Sequence, residues 1–336
     1  MLRGAVRTVG NALERVPGRV RTKLLVAFLA IAGLLVVLAL LGLRVLGQSN
    51  ARAERLGALQ ARVAGYQELE ANAVAFRQLL ALKSNQGAKP QTVAIVAADQ
   101  EFSRNAADGA RENAKAANLR VVYDRTYPPS TADFAPIVRA IQAGNPDLVV
   151  VCSYPPDSVG IVRSVNEIGF KPKAIGGAMV GLQATAIKTQ LGPLLNGWIN
   201  YDFWLPVPKM EFAGVGDLIK RYQAKAGAEG VDPLGYYMAP WGYAQLQVLQ
   251  QAVEGTKSLD DAKLGDYIRA NTFKTVVGDV KFGAKGEWEK SRVLQVQFQN
   301  VKGNDVAQFK DMSTQVVVAP AEYESGKVIY PYEKAK

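Results

Sequence analysis

The sequence predicts an α/β fold, a parallel sheet flanked by helices, preceded by a transmembrane helix and a long α-helix. Three observations carry this expectation. Short Val/Ile-rich runs, TVAIVAAD (92–99), RVVYDR (120–125), LVVVCS (148–153) and KAIGG (173–177), alternate with segments of helical periodicity. Such runs are the mark of strands buried on both faces. Upstream, Leu24 to Leu43 is free of charged residues. Between the two regions, SNQGAKPQ (84–91) is a short polar linker beyond which all the tryptophans lie.

In chain order, residues 1–23 are a basic tail, expected to stay cytoplasmic because positive charge flanks the inner side of a span. Leu24–Leu43 has the roughly 20 apolar residues that a helix needs to cross the hydrocarbon core. A cleaved signal has a shorter apolar region followed closely by a small-residue site, and here Arg44 ends the run. The expected location is therefore a bacterial inner membrane crossed once, with everything after Arg44 in the periplasm. Residues 44–83 read as a periplasmic helix. From Gln48 to Lys83, Leu56, Leu59, Val63 and Tyr66, then Leu69, Ala73, Phe76 and Leu80, form a narrow apolar stripe. That stripe suits pairing in a homodimer or packing on the chain's own domain.

The main domain begins at Thr92. Helices are expected at 103–117, 133–143 and 157–168 between the strand runs. GWINYDFWL (197–205) reads as a strand, 211–227 and 234–255 as helices, and 261–270 as another helix. TVVGDVKFGAKGE (275–287) reads as a strand, a bend and a glycine turn; 293–301 and 315–319 read as late strands before an irregular tail. Right-handed crossovers place the strand C-termini on one edge, where ligands of such sheets bind. The loops after Ala97, Val151 and Ile175 are thus the candidate site.

Composition closes several functional classes. The net charge of +10 is concentrated before residue 84 around the apolar segment, which points to membrane orientation and not to nucleic acid. The chain has no histidine, which removes imidazole-based triads and most zinc sites. The single cysteine, Cys152, lies in an apolar run and reads as a core residue. Asp99, Glu101, Asp157 and Glu167 read as loop or solvated-face charges with nothing to pair them into an acid/base set. A receiver domain would need paired acids after the first strand and another Asp after the third, where Cys152-Ser153 stand. GAKGE (283–287) lacks the strand-GxxxxGK[ST]-helix setting of a phosphate loop. No enzyme activity and no cofactor or metal is expected.

Four ordered pieces carry a family resemblance: VAIVAADQEFSRNAADGAR (93–111), the stretch from FAPIV to AIGG (134–177), YYMAPWGYAQLQVLQQAVEG (236–255) and TVVGDVKFGAKGEW (275–288). From about Pro90 to Val301 the chain resembles the periplasmic substrate-binding proteins of branched-chain amino-acid ABC transporters, the Leu/Ile/Val-binding family with the type I periplasmic binding fold. The resemblance implies a second lobe over 92–235, a remnant of the first lobe over 236–288, and return strands with a C-terminal tail over 289–336. Most of the first lobe is absent. It also implies a small ligand held between lobes, an amino acid or a related aliphatic or aromatic acid or amide, and an ABC permease as partner. Phe102 and Ser103 stand where the family places a "YG"-like pair in the cleft, and Tyr154 stands in a second ligand-facing loop. Ala178 falls where amino-acid binders carry an acid for the ligand ammonium; Trp241 and Phe282 are further lining candidates.

The first 83 residues resemble the membrane-proximal start of a bacterial sensor receptor. Three readings therefore stay open at this stage: an anchored solute-binding protein, a ligand-sensing module signalling through helix 48–83, and an impaired fusion or truncation product.

Overall fold

The computed structural model describes residues 90–283, 286–289 and 292–336. The expected span Leu24–Leu43 and the helix over 48–83 lie outside these. Among the described residues no helix is long and apolar enough to cross a membrane. In chain order the elements are β1 (Thr92–Ala98), α1 (Glu101–Ala116), β2 (Arg120–Tyr127), α2 (Ala135–Ala143), β3 (Leu148–Ser153), α3 (Pro155–Ile168), β4 (Ala174–Met179), α4 (Thr185–Leu191), β5 (Ile199–Asp202), α5 (Val215–Glu229), α6 (Ala239–Thr256), α7 (Asp261–Ala270), β6 (Thr272–Thr275), β7 (Gly278–Lys281), β8 (Leu294–Phe298) and β9 (Gln315–Ala319).

The main sheet has the order β2-β1-β3-β4-β5-β8-β9. Strands β1 to β5 are parallel, as the apolar runs predict, and β8 and β9 extend the sheet antiparallel. Every residue of β1, β3 and β4 is buried, so these strands have no solvent face to supply a polar alternation. At the edge, β2 leaves most of its side chains exposed or partly exposed. Helix α1 turns Ser103, Ala106, Ala107, Ala110 and Ala114 inward, a small-residue face at helical spacing that lets the helix lie close to the sheet. On its outer side Arg111 meets Asp124 of β2 at 2.7 Å.

The strand C-termini share one edge. Ala97 pairs with Cys152 and Cys152 with Ala178, a row of small residues across three strands. Cys152 is 1% exposed, as expected of a core residue, and burial pushes its thiol up to about 12. Beyond Asp202 the chain leaves the sheet, builds α5, α6, α7 and the hairpin β6-β7, and re-enters at β8. That excursion has a small core of its own around Val248, Ala252, Leu264 and Phe273. On the other side of α6, Tyr243, Leu246 and Leu249 face outward, Leu246 at 64% exposure.

Several expected boundaries move, each for a local reason. The helix expected from Leu234 starts at Ala239, because the Asp232 carboxylate takes the Leu234 and Gly235 N–H groups into a turn in which Gly235 has φ +68°. Tyr236 therefore precedes the helix and packs against Trp204 with ring centroids 5.7 Å apart. The strand expected over 197–205 keeps only Ile199–Asp202, where the Asp202 carboxylate accepts from the next peptide N–H and ends the ladder. The helix expected from Glu211 begins at Val215, after Gly214 at φ +84°. Residues 275–281 lie in a two-stranded hairpin that starts at Thr272, and an isolated bridge between Phe282 and Trp288 follows it.

Candidate ligand-binding site

Phe102 sits in the first turn of α1 and Tyr154 immediately before α3, so β1 and β3 deliver both to the shared edge. Their rings meet edge-on, centroids 6.3 Å apart. Tyr154 is held from below: Ser158 Oγ donates to its carbonyl at 2.8 Å and also contacts Ser153 Oγ at 2.8 Å. Burial raises the Tyr154 hydroxyl above the ordinary phenol range, opposed by the facing Phe102 N–H and reinforced by Glu101. It is therefore a protonated donor at neutral pH.

Ser103, the next residue of α1, is fully buried, its Oγ without a hydrogen-bond partner among the described residues. Ala178 is 2% exposed and belongs to the same apolar cluster as Cys152 and Tyr201, with Phe102 packed against it. The row of small residues Ala97, Cys152 and Ala178 belongs to the cluster that accommodates these rings.

From Phe102 an aromatic run extends along the edge. Tyr201 lies 6.1 Å from Phe102, and Phe203 lies 5.6 Å from Tyr201. Phe203 stacks on Tyr237 at 5.9 Å with an interplanar angle of 13° and meets Trp241 edge-on at 5.6 Å. Trp241 in turn meets Trp288 at 4.9 Å, and the Arg292 guanidinium lies over the Trp288 ring at 4.7 Å. Trp241 Nε1 is buried without a hydrogen-bond partner among the described residues.

The structure thus brings Phe102 and Tyr154 together; Ala178 lies in the apolar cluster on which Phe102 packs, whereas Tyr154 packs on the other large cluster. Trp241 joins the pair through Tyr201 and Phe203, whereas Phe282 is reached only through its bridge to Trp288. Tyr201, Phe203 and Tyr237 escaped the sequence reading. For Tyr201 and Phe203 the signal lies in GWINYDFWL, where they take alternate positions in β5 and just beyond it; Tyr237 lies outside that run.

One expected surface charge is corrected. Asp157, read as solvated, is 5% exposed and accepts from the Tyr127 hydroxyl at 3.2 Å. It lies in the first turn of α3, whose inner face packs on the sheet. Burial pushes its carboxyl up, against the Tyr127 hydroxyl and local backbone N–H groups. Asp99 stays at the rim with Arg104 at 2.9 Å, both about half exposed. Among the described residues no group of His, Cys, Asp and Glu has the arrangement of a metal site.

These rings form a continuous aromatic run at the C-terminal edge of the parallel strands, the edge at which open α/β sheets bind their ligands. The chain belongs to the periplasmic binding protein family, whose profile matches residues 66–302. It is similar to Leu/Ile/Val-binding protein homolog 8 of Brucella abortus (strain 2308), at 28% identity over 222 residues, 64% of this chain and 54% of the relative. To the Leu/Ile/Val-binding protein of Citrobacter freundii it is 31% identical over 203 residues, 59% of this chain and 51% of the relative. The chain spans about half the length of the curated relatives it matches.

Among solved structures, a leucine binding protein from Thermotoga maritima MSB8 superposes with a TM-score of 0.58 at 18% identity, over 69% of this chain and 63% of that one. A solute binding protein of an ABC transporter from R. palustris, in complex with benzoate, gives 0.57 at 16% identity, over 78% and 66%. At these identities the superpositions establish the α/β fold.

Proposed function

We propose that this chain is a solute-binding protein of the branched-chain amino-acid ABC transporter type. In this reading Leu24–Leu43 anchors it in the inner membrane, the main domain faces the periplasm, and an ABC permease receives the ligand. The observation that carries the proposal is the Phe102–Tyr154 pair at the sheet edge, with the Tyr154 hydroxyl as its donor and Trp241 further along the same aromatic run.

The ligand class follows from what the wall offers. Aromatic faces take an apolar or aromatic body, and hydroxyl and indole donors take a carboxylate or amide oxygen. A ligand ammonium finds no acid at Ala178. Of the nearby described acids, Asp99 pairs with Arg104, Asp157 accepts from Tyr127, Asp202 accepts from the next peptide N–H, and Glu101, whose charge reaches Tyr154, is exposed to solvent. Burying an unpaired ammonium costs several kcal/mol. Carboxylates without an α-amino group are therefore the preferred ligands, and the benzoate complex of a structural neighbour shows that its fold admits one.

Calorimetric titration of the full chain with matched pairs tests this. Isocaproate should bind at least about tenfold more tightly than L-leucine, and hydrocinnamate than L-phenylalanine, each factor of ten being about 1.4 kcal/mol. Tighter binding of both amino acids would reject the assigned ligand class.

A further inference from the structure

We propose that Asp202 is a positioning residue for the candidate cleft: its carboxylate fixes the turn that carries Phe203 into the aromatic wall, and the buried Lys188 supplies the charge that steadies it. Asp202 is the last residue of β5 and is 5% exposed. Its Oδ1 accepts from the Phe203 N–H at 2.8 Å, and the Trp204 N–H also supports the carboxylate. These two peptide groups are the turn by which the chain leaves the sheet. Their side chains then part. Phe203 stacks on Tyr237 and meets Trp241, whereas Trp204 is 1% exposed and donates from Nε1 to the Met210 carbonyl at 3.0 Å. One carboxylate thereby sets the path of two aromatic anchors.

The surroundings of that carboxylate are costly, which is why a structural role alone explains them poorly. Lys188 of α4 is 1% exposed, and its Nζ donates to Gln315 Oε1 of β9 at 2.8 Å. Among the described residues no carboxylate lies within ion-pair distance of it. The acids whose charge reaches Lys188 are Asp202 and Asp232. Asp232 is committed elsewhere: it accepts from the N–H and hydroxyl of Thr185 and from the Leu234 and Gly235 N–H groups. Of these two acids Asp202 is the one that also holds the turn. A buried cation and anion held apart from direct contact cost more than an apolar substitute would.

The titration follows from the same geometry. Burial pushes the Asp202 carboxyl up to about 6; Lys188 and the Phe203 and Trp204 N–H groups oppose this, and Asp232 reinforces it. Burial pushes Lys188 down, against the attraction of Asp202 and Asp232. On Asp232, burial acts upward but is outweighed by the hydrogen bonds from Gly235, Thr185 and Leu234, so this acid remains ionised. Tyr222 of α5, next to Asp232, is raised by burial and stays neutral.

A folded-state value above the unfolded one means that the folded protein binds this proton more tightly. Through Asp202, stability relative to the unfolded chain therefore rises as pH falls from about 6 towards the ordinary carboxyl range. Acidification through this window consequently does not unfold the chain by way of Asp202. It removes the charge facing Lys188 and weakens the acceptor that holds the Phe203 N–H, loosening the turn. A chain without histidine has no imidazole titrating in this window.

The inference rests on the cleft reading only for its consequence on ligand binding, so the test uses the ligand-free full chain. Tryptophan emission would be followed from pH 8 to pH 4.5, with far-UV circular dichroism confirming the fold at each point. The expected result is one emission change centred near the Asp202 value of about 6. It should be lost in Asp202→Asn and in Trp241→Phe, and moved to higher pH in Lys188→Met. Asp157→Asn controls for the other buried carboxyl and should leave the change in place. A change that persists in Asp202→Asn, or no change in the parent protein, overturns the proposal. If Lys188→Met does not fold, the two outcomes of Asp202→Asn still decide it.

Discussion

Replacing Phe102 and Tyr154 together by alanine should lower ligand affinity by roughly 100-fold or more, about 3 kcal/mol, the scale of paired aromatic anchors at a binding surface. Both side chains are only partly buried, Phe102 in the first turn of α1 and Tyr154 immediately before α3. Truncation removes the edge-on ring pair and the Tyr154 hydroxyl, a protonated donor suited to a carboxylate or amide oxygen. The backbone of β1 and β3 is untouched, so the circular dichroism spectrum should not change. Calorimetric titration with the best ligand of the matched panel reads the loss. Undiminished affinity in the folded double variant would remove these residues from the site.

The second large effect lies in the sheet. Gly176→Ala should destabilise the fold by more than about 3 kcal/mol, because an added Cβ runs into the Ile199 carbonyl of the neighbouring strand. The two strands are joined at this point, Gly176 opposite Ile199 and Gly177 opposite Asn200. Backbone atoms have no rotamer through which to withdraw, so the strands must separate. For a domain of this size the loss corresponds to a fall of roughly 10 °C in the unfolding midpoint, measured by circular dichroism. Gly169→Ala is the comparison: its Cβ meets no neighbour, and only the left-handed φ of +68° is strained. A midpoint unchanged by Gly176→Ala would contradict the β4–β5 register.

Much of this architecture was legible because burial on both faces leaves a plain signature. In β1, β3 and β4 the apolar runs are continuous, and the observed strands fall within a residue or two of the expected ones. The helix boundaries that moved depended on distant or specific polar contacts. Nothing in the order of residues says that the Asp232 side chain will take the Gly235 N–H and delay α6 to Ala239. Periodicity extended that helix backwards because Tyr236 and Tyr237 fit its apolar stripe as well as they fit a turn.

The site divides in the same way. The strand pattern marks the segments that hold Phe102 and Tyr154, and the family resemblance singles out the two rings, which the structure places in contact. Phe203 reads as strand interior because nothing in the sequence marks Asp202 as the end of the ladder. Lys188 gave no signal at all: a lysine on a short helix reads as a solvated charge, yet it is 1% exposed. Its burial depends on β9, which contributes Gln315 from more than a hundred residues downstream. Asp157 was misjudged for a similar reason, since the Tyr127 hydroxyl that occupies it comes from the end of β2.

The most direct test of the central claim is heat unfolding of the purified full chain, with and without the matched acids and amino acids. A ligand that binds only the folded form stabilises it by about 2.7 kcal/mol at a hundred times its dissociation constant. The account predicts a cooperative transition whose midpoint rises with the concentration of an apolar or aromatic carboxylate. A transition that no compound in the panel moves would contradict it.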